Sequence, residues 1–106
     1  MNNINRIAKK LNLQTNQVSV TLNLFSEDAT IPFIARYRKE LTGGLDESQL
    51  REIESLNNYL TILDDRKTTI LKSIEEQGML TEELKSRIEN SDKLQELEDL
   101  YLPYNF

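Results

Sequence analysis

The chain has 106 residues, of which 38% are hydrophobic, and a formal net charge of −5. This length suits one domain with a modest core better than two independent cores. The sequence contains no Cys and no His, which excludes disulfides, thiolate nucleophiles and metal sites built on Cys or His. No apolar run approaches the roughly 20 residues of a membrane span, and no secretory leader pattern is present. We therefore expect a cytoplasmic protein.

Positive charge is concentrated in the first part of the chain. Residues 1–45 contain six Lys or Arg and three Asp or Glu, whereas residues 46–106 contain seven and fifteen. The two parts thus have formal charges of +3 and −8. Because nucleic acid responds to local positive potential, we expect any phosphate contact in the first part.

Two short helices are predicted at the start of the chain. Apolar residues recur at helical spacing from Ile4 to Leu11, and turn-favouring residues then interrupt the pattern. Thr15 is the predicted N-cap of a second helix, which ends at Ser26. The intervening Asn12 is a residue type that suits a tight turn.

A third helix is predicted from residue 32 to about residue 40. Ile31 is biased towards extended backbone by the following Pro32, whose own φ suits the first turn of a helix. Gly43 and Gly44 then provide a stop, because glycine adopts the left-handed conformation without steric cost.

A long helix is predicted over residues 47–77. Asp46 and Gln49 have the spacing of a capping box at its start. Its apolar stripe follows a heptad pattern that passes through Lys67. The stripe consists of Ile53, Leu56, Leu60, Leu63, Ile70 and Ile74. Such a stripe can form a dimer, but we favour burial by the chain's own short helices and hence a monomer.

Two short helices are predicted after the long one. Gly78 ends the long helix and Thr81 caps the next. Either Ser91 or Asp92 begins the last helix, which stops at Pro103. The apolar end of the chain either packs back on these helices or continues into further protein, and we favour continuation.

The predicted fold is therefore all-α. Residues 1–45 form a helix-turn-helix-like head of three helices. Residues 46–106 form the long helix with two short helices that return along it, and this part is expected to continue into further domains of a larger protein.

The second predicted helix is a candidate for reading bases. Its exposed face includes Asn16 and Gln17, whose amides suit base edges. The face has no Arg or Lys to contact phosphate, and Glu27 and Asp28 follow it. Since phosphate contacts supply most non-specific affinity, we favour a helix-turn-helix that serves only for packing.

The densest positive cluster consists of Arg36, Arg38 and Lys39. These side chains could bind a phosphate or an acidic partner segment. The alternative, which we favour, is internal ion pairing of Arg36 or Arg38 with acids of the long helix such as Glu47 or Glu54.

Catalysis is not expected, and no cofactor or metal is predicted. No phosphate-binding loop motif occurs, and the adjacent acidic pairs point about 100° apart on a helix. A solvated acidic surface explains these pairs better than a metal site.

Three blocks in order resemble the Tex amino-terminal domain family. The first is IPFIARYRKE at 31–40 followed by TGGLDE at 42–47. The others are ILKSIEEQG at 70–78 and ELEDLYLPY at 96–104. The resemblance covers essentially the whole chain.

This resemblance implies a much longer bacterial protein associated with transcription. Its further parts would be a nuclease-like fold, helix-hairpin-helix units and an S1 domain, and RNA or DNA binding would reside mainly in these parts. It also implies an architecture related to that of a eukaryotic elongation factor. The 106 residues are accordingly expected to be a fragment that holds such modules in place. The alternative is a module that binds nucleic acid directly.

Overall fold

The computed structural model describes residues 3–105. Within this range all regular structure is helical, which confirms the all-α prediction. The helices are α1 (Asn3–Leu11), α2 (Thr15–Ser26), α3 (Ile31–Tyr37), α4 (Lys39–Thr42), α5 (Glu47–Glu76), α6 (Glu82–Glu89), α7 (Leu94–Tyr101) and a final 3₁₀ turn (Leu102–Tyr104). No helix in this range is both long and apolar enough to cross a membrane.

The chain divides into two compact units, one up to Tyr59 and one from Leu60. The division lies inside α5, whereas we predicted a boundary between residues 45 and 46. The start of α5 belongs to the first unit, where its Ile53 is fully buried. Asn57 of α5 also accepts a hydrogen bond from the side chain of Asn3 on α1.

In the first unit, α1 packs on α2 through a tight turn. Asn12 has a φ of 57°, and the N–H of Leu13 donates to the carbonyl of Ala8 at 2.9 Å. Ala8 is buried, as are the apolar side chains of Ile7 and Val18. The predicted turn residue Asn12 and the predicted end of α1 at Leu11 are confirmed.

The start of α2 differs from the prediction by one residue. Its N-cap is Gln14, and Thr15 is already helical. The N–H of Gln14 donates to Oε1 of Gln17 at 3.1 Å. The N–H groups of Gln17 and Val18 already donate to the carbonyl of Gln14, so the helix does not need the Thr15 hydroxyl as a cap.

The predicted single helix over residues 32–40 is wrong. The structure has two short helices, because Arg38 leaves the helical region with φ −129° and ψ 26°. The first begins at Ile31, one residue before Pro32, since the Thr30 hydroxyl caps it by accepting from the Phe33 N–H. The head therefore has four helices.

The break at Arg38 accompanies a long-range contact of α4. Thr42, at the end of α4, is fully buried, and its carbonyl accepts a 2.9 Å hydrogen bond from Nε2 of Gln17. Helix α4 packs on α2 as well as on α3. Gly43 then ends α4 with a φ of 72°, as predicted.

The long helix α5 begins with the predicted capping box. The Gln49 N–H donates to Oδ1 of Asp46 at 2.8 Å, and the Asp46 N–H donates to Oε1 of Gln49 at 3.0 Å. Gly78 follows its end with a φ of 71°. The predicted stripe is buried within the single chain, except for the half-buried Leu56.

In the second unit, Lys67 connects α5 to α6. Its side chain is only 7% exposed, and Nζ donates to the backbone carbonyl of Glu89 at 2.9 Å. Glu89 is the last residue of α6, so the ammonium lies at the negative end of that helix dipole. Thr81 caps the start of α6, as predicted, by accepting from the Leu84 N–H.

The last helix begins at Leu94, and the predicted start at Ser91 or Asp92 is wrong. Ser91 is buried, and its hydroxyl donates to the carbonyl of Lys93 at 3.2 Å. The hydroxyl is therefore engaged within the turn and does not cap α7.

Helix α7 and the residues after it pack back on α5. The Arg66 guanidinium binds both carboxylate oxygens of Glu98, and Ser73 Oγ lies 2.9 Å from the Tyr101 hydroxyl. Nε2 of Gln77 donates to the carbonyl of Tyr104 at 2.9 Å.

The hydrogen bond that Arg66 donates, more than the charge of Arg66, lowers the pKa of Glu98. The same hydrogen bond raises the pKa of Arg66.

Candidate functional site

The two arginines of the predicted cationic cluster lie over two aromatic rings of α3. The rings of Phe33 and Tyr37 have centroids 5.4 Å apart and planes inclined at 48°. The Arg38 guanidinium lies 4.7 Å from the Phe33 centroid, and that of Arg36 lies 5.4 Å from the Tyr37 centroid. We call Phe33, Arg36, Tyr37 and Arg38 the aromatic–arginine face.

Local sequence explains this arrangement. Phe33 and Tyr37 are four residues apart on one helix and so lie on the same side of it. Arg38 is outside regular helix, and its Nη1 donates to the carbonyl of Tyr37 at 3.0 Å. That hydrogen bond directs the guanidinium back over Phe33, where ring and cation attract each other.

The favoured ion pairs with α5 are not formed. Among residues 3–105, neither Arg36 nor Arg38 has a carboxylate within ion-pair distance. Glu47 instead pairs with Arg51, one turn along α5, at 3.2 Å. That pair is exposed on both sides and contributes little to stability. The predicted ion pairs are wrong, and the two arginines lie over the rings of Tyr37 and Phe33 on α3 instead.

Lys39 is exposed at the start of α4. Within the described range, no hydrogen bond, ion pair or ring contact joins it to Arg36 or Arg38. The cluster thus has two preorganised guanidinium groups and one ammonium on the adjoining helix.

A groove of about 430 Å³ borders the face. Leu24, Ala29 and Phe33 supply its apolar lining. Arg38 lines it as well, together with the acidic side chains of Glu27 and Asp28. The groove is therefore lined by both positive and negative side chains. The acidic side chains disfavour phosphate binding there.

The two candidate base-reading residues of α2 are in different situations. Asn16 is exposed. Gln17 is half-buried and holds two backbone groups, because its Oε1 accepts from Gln14 and its Nε2 donates to Thr42. Reading a base with the Gln17 amide would break these hydrogen bonds.

The exposed apolar area near the arginines was not predicted. Phe33 is 38% exposed, Tyr37 53%, and Leu41 on α4 47%. Their four-residue spacing was the available signal, but it marks one side of a helix without showing whether that side is covered.

Among residues 3–105, no three or more acidic side chains are placed to hold a metal ion. The Arg66–Glu98 pair is the described ionisable pair with shifted pKa values. It joins α7 to α5 with bidentate geometry and has an evident structural role.

Comparison with known sequences relates these features to a family. A sequence profile described as the Tex-like protein N-terminal domain matches residues 1–75. The chain belongs to this family. The aromatic–arginine face and the Gln17–Thr42 contact both lie in the part matched by the Tex-like profile.

Several curated relatives of the Tex-like domain are much longer than this chain. The "Transcriptional accessory protein Tex" of Neisseria gonorrhoeae is 52% identical over 103 residues, covering 96% of this chain and 14% of that protein. "Protein YhgF" of Escherichia coli K12 is 51% identical over 98 residues, covering 92% and 13%. The human "S1 RNA-binding domain-containing protein 1" is 32% identical over 98 residues, covering 92% and 10%.

Proposed function

We propose that this chain is a non-catalytic, amino-terminal helical scaffold of a Tex-like transcription accessory protein. In this proposal the longer protein binds RNA or DNA mainly through domains outside these 106 residues. It would act in the cytoplasm, with the transcription machinery among its partners, and this segment would be monomeric. The observation that carries the proposal is that nearly the whole chain corresponds to 14% of a relative named as a transcriptional accessory protein.

The internal bonding of α2 supports a scaffold role. A base-reading helix needs free amides on its exposed side, yet Gln17 is committed to the backbone of Gln14 and Thr42. The same contact ties α2 to α4. Gln17, one of the two candidate base-reading residues, therefore serves the packing of the head.

The distribution of charge is a second support. Residues 46–106 have a net charge of −8, and this part contains all of α5 together with α6 and α7. Phosphate backbones are repelled by such a surface. Strong autonomous nucleic-acid binding is therefore unexpected.

A second candidate function is direct nucleic-acid binding by Arg36, Arg38 and Lys39 with the α1–α2 pair. The observation in its favour is that Arg36 and Lys39 are exposed and have no carboxylate partner within the described range. Such cations can neutralise phosphates, and their affinity would fall steeply with salt.

Titration of this chain with single-stranded RNA and duplex DNA at low and moderate salt separates the two functions. The scaffold proposal predicts no RNA or DNA binding that depends on the cluster. A variant with Arg36, Arg38 and Lys39 replaced by Ala should therefore give the same RNA and DNA titration curves as the unmodified chain.

The matched control replaces Lys72, Lys85 and Lys93 by Ala. These three exposed lysines lie after residue 46, and their loss changes the net charge by the same amount. Low-salt binding that the first variant loses and the control retains would contradict the scaffold and support direct binding.

A further inference from the structure

The aromatic–arginine face exposes apolar groups that a folded surface seldom leaves bare together. Phe33 and Tyr37 are 38% and 53% exposed, and Leu41 on the adjoining α4 is 47% exposed. Aromatic side chains have much apolar area and few rotatable bonds, so they add binding energy at a low entropic cost. Tyr and Arg are also enriched among the residues that dominate protein–protein affinity.

The geometry of the rings favours a polypeptide over nucleic acid as occupant. A base stacks on an open, flat aromatic ring. Here the rings are inclined at 48° to each other, and a guanidinium already lies over each one. The aliphatic Leu41 offers no stacking surface. Apolar side chains of a protein segment can fill such an uneven surface, whereas a row of bases cannot.

Charge determines the kind of polypeptide. Arg36 and Lys39 are exposed and have no carboxylate within ion-pair distance among residues 3–105. Residues 1–45 have a net charge of +3. An acidic segment complements these groups and is steered towards them. Its carboxylates belong beside Arg36 and not in the groove, because Glu27 and Asp28 line the groove and repel other carboxylates there.

The groove beside Phe33 has room for an anchoring side chain. Its volume is about 430 Å³ and its lining includes Leu24, Ala29 and Phe33. Helices that dock in grooves insert apolar side chains at a spacing of three or four residues. An apolar anchor in the groove and a carboxylate near Arg36 are the pattern of an amphipathic helix with an acidic flank.

We propose that the aromatic–arginine face docks an acidic amphipathic α-helix of a partner polypeptide. This inference rests on the scaffold function proposed above, since a scaffold must hold other protein segments. Tyr37 and the groove beside Phe33 supply apolar contact, and Arg36 and Lys39 select acidic flanks. Nucleic acid is excluded as the principal occupant of this face.

Three fluorescein-labelled probes test the proposal by fluorescence anisotropy with the 106-residue chain. The first is a designed helical peptide of roughly 20 residues, with Leu at intervals of three and four positions and Glu beside them. The second has Lys in place of every Glu. The third is a single-stranded oligothymidylate of similar length.

The acidic peptide should bind and the basic peptide should not. Tyr37→Ala and Arg36→Glu should each weaken acidic-peptide binding about tenfold or more, as expected for central aromatic and arginine contacts. Ile62→Ala is the matched apolar control, because Ile62 is 57% exposed on α5. Lys85→Glu is the charge control, because Lys85 is exposed on α6. Both controls should keep the affinity of the unmodified chain.

Two variants keep the test decisive. If Tyr37→Ala proves poorly folded by circular dichroism, Arg36→Glu still tests the face, because Arg36 is exposed and its replacement leaves the apolar groups in place. Equal binding of the acidic and basic peptides would overturn the proposal, as would absence of peptide binding. Oligothymidylate binding that Arg36→Glu abolishes would also overturn it and would contradict the scaffold function. Failure of all three probes would overturn the docking face and leave the scaffold function intact.

Discussion

The side-chain amide of Gln17 on α2 donates a 2.9 Å hydrogen bond to the carbonyl of Thr42, the last residue of α4. A Cβ on the next residue, Gly43, would lie 2.9 Å from the same Gln17 nitrogen. The end of α4 and the side of α2 are therefore fitted to each other without spare room. Glycine at position 43 serves this close approach as well as the left-handed backbone.

Gly43→Ala should destabilise the chain more than Gly44→Ala. Both glycines have positive φ, 72° and 87°, so each alanine suffers backbone strain of about 1–2 kcal/mol. Only the Cβ at position 43 also displaces the Gln17 amide, since nothing lies within 4 Å of a Cβ at position 44. The extra cost should be about 1 kcal/mol, the net value of one hydrogen bond. Urea unfolding followed by circular dichroism measures the difference. Equal losses would show that the Gln17 contact contributes nothing.

Lys67→Met should destabilise the chain by about 1.5–3 kcal/mol, the usual value of a hydrogen bond from a charged donor. Methionine keeps the apolar stem but cannot donate to the Glu89 carbonyl at the end of α6. Lys72→Met, at an exposed position of the same helix, is the control and should stay within about 0.5 kcal/mol. Thermal and urea unfolding of the three proteins provide the comparison. A Lys67→Met protein as stable as the control would mean that apolar packing compensates for the lost cap.

The Arg66–Glu98 pair should make stability depend on pH in the acid range. The pKa of Glu98 is lowered in the folded chain, chiefly by the hydrogen bond from Arg66, so the unfolded chain takes up the proton first. Stability from this pair is complete above the ordinary Glu pKa of about 4.3. It is lost as pH falls through the lowered folded value. The side chains are 35% and 42% exposed, and we expect no more than about 1 kcal/mol.

Glu98→Gln measures this contribution, with Glu96→Gln as the control on an exposed position of α7. At neutral pH the first variant should be less stable than the unmodified chain, and the difference should disappear below the folded pKa of Glu98. A difference that persists at low pH would attribute the effect to packing and not to the ion pair.

Helix ends governed by short-range chemistry could be predicted from the sequence. The capping box of Asp46 and Gln49, the cap at Thr81 and the stops at Gly43 and Gly78 all depend on residues within a few positions of each other. Their geometry therefore follows from local residue type. The heptad stripe was also predictable, because burial at that spacing is the usual fate of apolar residues on a long helix.

The features that sequence reasoning missed depend on a distant contact in one case and on a buried turn in the other. The interruption at Arg38 accompanies the hydrogen bond between Gln17 and Thr42, which are 25 positions apart. The start of α7 was misplaced because the Ser91 hydroxyl is buried and bonded within the turn. Residue type predicted a helical interior at Arg38 and a helix cap at Ser91. In both places the packing of the folded chain overrode the local preference.

The candidate site was predicted only in part. Arg36, Arg38 and Lys39 were recognised as a cluster from their proximity in the chain. Their partners were not predicted, because an arginine can satisfy itself with a carboxylate or with a ring, and sequence spacing does not distinguish the two.

Lys67 also restricts where α6 can lie along α5. Displacing α6 by one turn moves the Glu89 carbonyl by about 5.4 Å, the helical pitch. Lys67 would then lose this acceptor within a stripe whose members Leu63, Ile70 and Ile74 are fully buried, at a cost in solvation. An unbroken apolar stripe would tolerate several such offsets with similar energy. One lysine in the stripe therefore selects a single register for the second unit, a form of specificity that comes from penalising the alternatives.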